Sequence, residues 1–292
     1  MLRVISQLSL LSCLFLSFVG NAIAGQTFTN DQPVMAIVID DIGDNRRKGL
    51  AAINLPGAIT YAFLPHTPHS FELAKTAHHL GKEVILHAPM ENKAGLRLGP
   101  GALTKAHDAG QFSHILNGNL DAIPFAVGMN NHMGSLLTED RNKMGQVMSI
   151  VRERKMFFLD SMTTSNTVAW KVAHEHGIPY LVRDVFLDNQ QRWSYIHNQF
   201  KQALSLAVTQ GHAVVIGHPY PETVAYLKEA LPILEQLGIR LVTASELLRL
   251  RTQTRLMMAK PSVEQPCDSK EGHCDAMPVA IKQGRVSASR HQ

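Results

Sequence analysis

The chain has 292 residues, 45% of them hydrophobic, which is enough for one large α/β domain or two small ones with a full core. Its formal charge of +4 is unevenly placed: Arg3, together with the seven bases and four acids from Arg251 onward, leaves residues 25–250 with 20 bases and 20 acids. A body so balanced carries no nucleic-acid footprint, and no segment beyond the N-terminal stretch is long and apolar enough to cross a membrane.

The first 24 residues contain one charge, Arg3, a largely apolar run from Leu8 to Val19, and Ala22-Ile-Ala24 before Gly25. This is the pattern of a secretory signal. Cleavage is expected after Ala24, giving an exported, periplasmic protein with no stable membrane anchor. Residues 25–33 read as a polar linker, and residues 34–252 as the folded domain.

The first strand, Met35–Ile39, is apolar and largely β-branched and ends in Asp40 and Asp41, then Gly43. A buried parallel strand looks like this when it delivers carboxylates to an open sheet end. Two adjacent carboxylates repel unless a cation or a shared proton offsets the charge. Further strands are predicted at Ile59–Phe63, Glu83–Leu86, Phe125–Met129, Phe157–Leu159, Tyr180–Val182, Ala213–Ile216 and Arg240–Val242. Helices are predicted at Ser70–Leu80, Val168–His176, Ser194–Gln210 and Glu222–Leu237, each followed by the glycine of a left-handed cap. Helix, glycine, strand is the rhythm of a βα-repeat protein with a parallel sheet.

Residues 91–119 break that rhythm with a glycine-rich excursion holding one short helix, set beside the end of the third strand. Insertions of this length in a compact domain tend to be functional. After Leu250 the pattern dissolves, and residues 253–292 read as a disordered basic tail. There Cys267 and Cys274 suit a small local disulfide in an exported protein, or, with His273, a metal.

The strand ends supply Asp40 and Asp41, His66, His87 with Glu91 four residues on, Asn130, Asn131 and His132, Asp160, Arg183 and Asp184, and His218. In parallel α/β sheets and barrels, such residues converge on one face. Imidazole and carboxylate together suit zinc and similar divalent ions. His66 is the weaker member. Asp160 serves the chemistry or caps the turn that follows, and Arg183 serves the chemistry or pairs with Asp184.

Val38-Ile-Asp-Asp-Ile-Gly43, Leu86-His-Ala-Pro-Met-Glu91, Gly128-Met-Asn-Asn-His-Met-Gly-Ser135, Leu159-Asp-Ser161 and Ile216-Gly-His-Pro219 together resemble the divergent polysaccharide deacetylase family, a branch of the NodB-like carbohydrate esterases. The resemblance implies a deformed (β/α) barrel of seven to eight mostly parallel strands and metal-dependent removal of acetyl groups from a glycan. It implies that Asp40 is a base, Asp41 a metal ligand and His218 an acid. Where the better-known enzymes have a second histidine ligand, Glu91 stands instead. The ligand set expected is therefore Asp41, His87 and His132 around a divalent ion, zinc above others, with Glu91 in reserve and Arg183, Asn130 or Asn131 facing the oxyanion. Asp160 joins Asp40, Arg183 and His218 as a candidate catalytic residue. Two alternatives stand beside this: a barrel that binds glycan or an envelope partner without hydrolysis, and the same metal turned to a different amide or a phosphoester.

Overall fold

The structure, a computed structural model, describes residues 32–259. The expected export signal and the tail with its cysteine pair lie outside the described residues. Nine strands and eight α-helices follow in the order β1 (Val34–Ile42), α1 (Arg46–Ile53), β2 (Thr60–Phe63), α2 (Ser70–His79), β3 (Glu83–Met90), α3 (Ala109–Ala122), β4 (Gly128–Met133), α4 (Arg141–Glu153), β5 (Phe157–Asp160), α5 (Ala169–Glu175), β6 (Tyr180–Val182), β7 (Val185–Phe186), α6 (Trp193–Gln210), β8 (His212–Gly217), α7 (Pro221–Ala230), β9 (Arg240–Val242) and α8 (Ala244–Ala259).

All strands pair in parallel in one sheet of order β6-β5-β4-β3-β2-β1-β8-β7. β9 joins β1 beside its first residues, Val34 to Ala36, where β2 does not reach. The sheet curls into the expected (β/α) barrel but is not closed, because β6 and β7 are consecutive in the chain and do not pair.

Strand periodicity divides the core in two. Val34, Ala36 and Val38 face the barrel interior with Ala62, Ile85, Leu159, Leu181, Val214 and Ile216. Met35, Ile37 and Ile39 face outward, in a larger cluster with helix residues such as Ile53, Leu116, Val147, Phe200 and Leu227. Each fully buried aliphatic side chain contributes roughly 1.5–3 kcal/mol. The interior is stoppered at the strand N-termini by α8. Ala244 and Leu247 enter the interior cluster, and the first turn of α8 donates Ala244 N–H to Thr60 Oγ1 (3.0 Å) and Ser245 N–H to Glu83 Oε1 (3.2 Å). The strand C-termini are left as the open end.

Several boundaries differ from expectation. β4 starts three residues later than predicted, since Phe125 sits at φ +66°, outside strand geometry. The helix expected to reach Leu237 ends at Ala230 and gives way to a 3₁₀ turn, Leu231–Ile233, at Pro232, which has no N–H to donate. Helices α1, α4 and α8 and the two-residue β7 are not among the elements read from the sequence. The last helix runs from Ala244 to Ala259.

Candidate metal and catalytic centre

Because side chains alternate along a strand, the interior register of the barrel continues upward into the residues at its open end. Val34, Ala36 and Val38 lead to Asp40; Ile85 leads to His87; Leu159 leads to Ser161; Leu181 leads to Arg183; and Val214 and Ile216 lead to His218. β3 and β4 pair His87 with Asn130 and Pro89 with His132, so Asn130 and His132 share the face of His87.

Strict alternation would turn Asp41 away. Instead the pairing of β1 with β2 slips between Ile39 and Ile42, and Asp41 takes the left-handed conformation at φ +57°. That conformation costs a non-glycine residue on the order of 1 kcal/mol, least for Asp and Asn. It returns the second carboxylate to the first. Left-handed residues also stand at or just beyond the ends of β2, β4 and β5, at His66, Met133 and Met162.

Asp41, His87 and His132 form a group of ligand atoms. Asp41 Oδ1 lies 3.1 Å from His87 Nε2 and 2.9 Å from His132 Nδ1, and the two nitrogens are 3.1 Å apart. The buried Oδ1 receives no well-aimed hydrogen bond despite these contacts. The tautomer of His87 follows from its other side. Asn130 Nδ2 donates to Asp40 Oδ1 (2.8 Å) and Ser161 Oγ (3.2 Å), which leaves Asn130 Oδ1 to accept from His87 Nδ1 (2.7 Å). In the neutral ring, Nε2 then turns a lone pair toward the carboxylate. A proton satisfies one edge of this triangle; a cation satisfies all three. Ligands 2.0–2.1 Å from a tetrahedral zinc stand about 3.3 Å apart, so the observed edges need open only by a few tenths of an ångström. A histidine that donates its remote N–H to a fixed acceptor is the usual support for a ligating imidazole. The donor set and its spacing therefore fit a divalent cation.

The charges around the triangle are polarised. Burial drives the Asp40 carboxyl above the ordinary carboxylate range, with His87, His218 and the Asn130 hydrogen bond opposing. Burial acts on Asp41 in the same direction, but the contacts from His132 and His87 hold it well below that range. Burial would depress His87, and the charges of Asp40 and Asp41 raise it. His218 is pushed up to about 9: burial opposes protonation, and the hydrogen bond and charge of Asp188 outweigh it. Asp188 is buried, and its Oδ1 accepts from His218 Nδ1 at 2.9 Å. Its Oδ2 accepts from the His218 backbone N–H (2.6 Å) and from Thr223 Oγ1 (2.7 Å). His218 Nε2 is thereby aimed at the centre, 3.8 Å from Asp41 Oδ2. Tyr220 stacks on one side of its ring, and Phe186 meets it edge-on.

A cavity of about 420 Å³ opens over these groups, with Asp40, His87, His132, Arg183, Phe186 and His218 in its walls. Arg183 rests over the Phe186 ring, 5.1 Å from its centroid. It donates Nε to Ser161 O (2.7 Å) and Nη2 to Met162 O (2.8 Å), so it pins the β5–α5 connection while lending its charge to the cavity. The neighbouring charge of Asp184 acts on Arg183, but the guanidinium hydrogen bonds go to these two carbonyls.

The structure places the other residues singled out in the sequence as follows. Asp160 is one residue off the interior register and faces the helices. Its Oδ1 accepts from Met162 N–H (3.0 Å), and its Oδ2 from Thr167 Oγ1 (2.9 Å) and Trp170 N–H (3.3 Å), so its carboxylate caps the connection into α5, while its backbone carbonyl accepts from Arg183 N–H (3.0 Å). Glu91 accepts from Lys105 N–H at 2.7 Å and is not among the converging ligands. Asn130 is spent on His87, Asp40 and Ser161. Asn131, in the cavity wall, donates Nδ2 to Met133 O (2.7 Å) and accepts at Oδ1 from Ser161 N–H (2.9 Å). His66 turns to Asn119 Oδ1 (3.1 Å). The residue not anticipated is Asp188. It shares the parity of Phe186, a cavity residue of the unpredicted β7, a strand of two residues that shows no period in the sequence.

The profile of a family described as divergent polysaccharide deacetylase matches residues 37–248. The uncharacterized protein YibQ of Escherichia coli K12 is 38% identical over 214 residues, which are 73% of this chain and 67% of that protein. A crystal structure of an uncharacterized protein from Agrobacterium tumefaciens C58 shares the fold with a TM-score of 0.72 at 22% identity, over 74% of this chain and 89% of that one. A mutant of the peptidoglycan deacetylase PdaC from Bacillus subtilis shares it with a TM-score of 0.50 at 13% identity, over 79% of this chain and 96% of that one.

Proposed function

The chain belongs to the divergent polysaccharide deacetylase family, and from that premise we propose that it is a metal-dependent deacetylase acting on a glycan of the cell envelope. The observation that carries this is the convergence on one cavity of a buried carboxyl at Asp40 and an imidazole at His218 held by Asp188, beside the Asp41–His87–His132 triangle. A carboxyl and an imidazole within reach of one reacting centre are the candidates for base and acid.

Asp41, His87 and His132 would hold a divalent cation, zinc in this proposal, and its chemistry there is to polarise an acetyl carbonyl and to make water acidic near neutral pH. Asp40 accepts the proton of the water that attacks the carbonyl carbon. Asn130 keeps Asp40 and His87 in register. His218 stays protonated at neutral pH through Asp188 and gives its Nε2 proton to the departing nitrogen or sugar oxygen as the bond to the acyl carbon breaks. Acetate and the free amine or hydroxyl result. Arg183 adds positive charge beside Asp40. The N-terminal apolar run with Ala22-Ile-Ala24 supports export to the periplasm, where such glycans lie.

Elemental analysis and acetate release together test the proposal. The purified protein should carry about one divalent ion per chain and release acetate from N-acetylated chitin oligomers or peptidoglycan fragments. Asp41→Ala and His132→Ala should each lose the ion, and Asp40→Asn should keep it while turnover falls by about 10²-fold or more. Unchanged metal content in both ligand variants overturns the site. Glycan binding with no acetate release, unaffected by Asp40→Asn, would support the non-hydrolytic barrel instead, a reading that draws on Glu91 standing in the place of the usual second histidine.

A further inference from the structure

A second cavity, of about 340 Å³, adjoins the first along His132, and its walls include Asp41, Asp44, Thr67, Arg97 and Leu98. We propose that it is a subsite for a carboxylate-bearing sugar, with Arg97 as the counter-charge, so that the glycan accepted is an acidic one. The substrate class rests on the deacetylase reading above.

Arg97 is brought there by the excursion that follows β3. Both ends of that excursion are pinned. Met90 and Leu103 form a parallel bridge, Leu103 N–H donates to Pro89 O (2.8 Å), and Glu91 N–H donates to Leu103 O (2.9 Å). Within it the buried Asn92 folds residues 92–96 into a closed turn, its Oδ1 accepting from Leu96 N–H (2.9 Å) and its Nδ2 donating to Leu96 O (3.0 Å). Gly95, Gly99 and Gly101 supply left-handed backbone on either side of Arg97. At Gly101 a Cβ would fall 2.1 Å from Asn119 Oδ1, so the excursion also lies close against α3. The loop is built to hold its tip at the metal triangle.

The charges of this segment are unequal in use. Lys93 pairs with Glu139 at 2.7 Å and Lys105 with Asp140 at 3.2 Å. Arg97, between them in sequence, is exposed and makes no hydrogen bond or ion pair among the described residues. Asp44 lines the same cavity and does not pair with it. A guanidinium without an ion pair, carried by a pinned loop into the cavity wall, matches a carboxylate through its planar fork. Asp44 is then left to accept sugar hydroxyls. The neighbouring Pro65, Leu98 and Pro100 give the cavity apolar walls against which a sugar ring can lie.

The test compares acetate release by the full chain from N-acetylglucosamine oligomers and from glycan strands of equal length that contain N-acetylmuramic acid, whose lactyl group carries the carboxylate. The wild type should prefer the acidic strands by about tenfold or more in kcat/KM, the scale of one charged hydrogen bond. R97Q should bring that ratio near one through KM, and R97E should take it below one. Equal use of both glycans by the wild type, or an unchanged ratio in R97Q, overturns the subsite. Calorimetric titration with the N-acetylglucosamine–N-acetylmuramic acid disaccharide reads the same point without turnover: R97Q should bind about tenfold more weakly, and equal binding overturns the proposal. If neither glycan loses acetate, the deacetylase reading falls, and the titration still decides the subsite.

Discussion

A histidine inside a protein normally loses its proton to burial, and His218 keeps it because Asp188 is fixed by Thr223 and by the His218 backbone N–H as well as by the imidazole. The folded pKa of about 9 lies above the ordinary histidine value near 6.5. On the proposed reaction His218, the acid, is therefore charged at neutral pH, and kcat/KM should fall as pH rises through about 9. In Asp188→Asn the anion is gone and burial acts unopposed by it. The alkaline limb should then move to lower pH by at least about one unit, measured in the pH profile of acetate release and by NMR titration of the His218 ring. An unmoved limb would mean that Asp188 only positions the ring. At this scale much of the centre was legible in sequence: Asp40, Asp41, His87, His132 and His218 all stand at strand ends and all converge. Asp188 was not, because it lies two residues beyond β7, and that strand, Val185–Phe186, is too short to show a period in the sequence. Asp160 misled for the opposite reason, as a strand end of the right chemistry on the wrong parity.

That parity has a consequence for the β5–α5 connection. Asp160 is fully buried and organises a segment that contains the left-handed Met162 and the carbonyls grasped by Arg183. Asp160→Ala leaves the Met162 and Trp170 N–H groups and the Thr167 hydroxyl without their acceptor. The expected loss is roughly 1–3 kcal/mol, a fall of several degrees in Tm for a domain of this size, with bound metal unchanged by elemental analysis. Loss of metal in this variant would return Asp160 to the site. The elements most easily read were those with both a period and a stop signal: α2, α5 and α6 end at or one residue before the residue that precedes their glycine. Elements without such a stop were missed. α1 ends at Ile53 and α4 at Glu153, and after their C-caps, Asn54 and Arg154, come Leu55 and Lys155 where α2 and α5 have glycine. Their start signals, Asn45 and Asp140, were present, each accepting from the first-turn N–H groups.

For the whole molecule, ladder neighbours set where stability concentrates. β1 is bonded by β8 on one side and by β9 and β2 on the other, and β3 lies between β2 and β4, whereas β6 and β7 each have one neighbour. Native-state hydrogen exchange should therefore be slowest at β1 and β3 and faster at β6 and β7, by on the order of a hundredfold. Uniform protection across the sheet would show that the barrel opens only as a unit. The gap between β6 and β7 also bears on how the protein meets its own kind. An unclosed sheet offers edges to which a stray strand can add, the usual start of aggregation. Here those edges are three and two residues long, and the chain crosses between them at Arg183 and Asp184. Asp184 is already committed, accepting from Val214 N–H at 2.7 Å. A foreign strand finds a template too short to register on, which lets the barrel stay open beside its working cavity without becoming a seed.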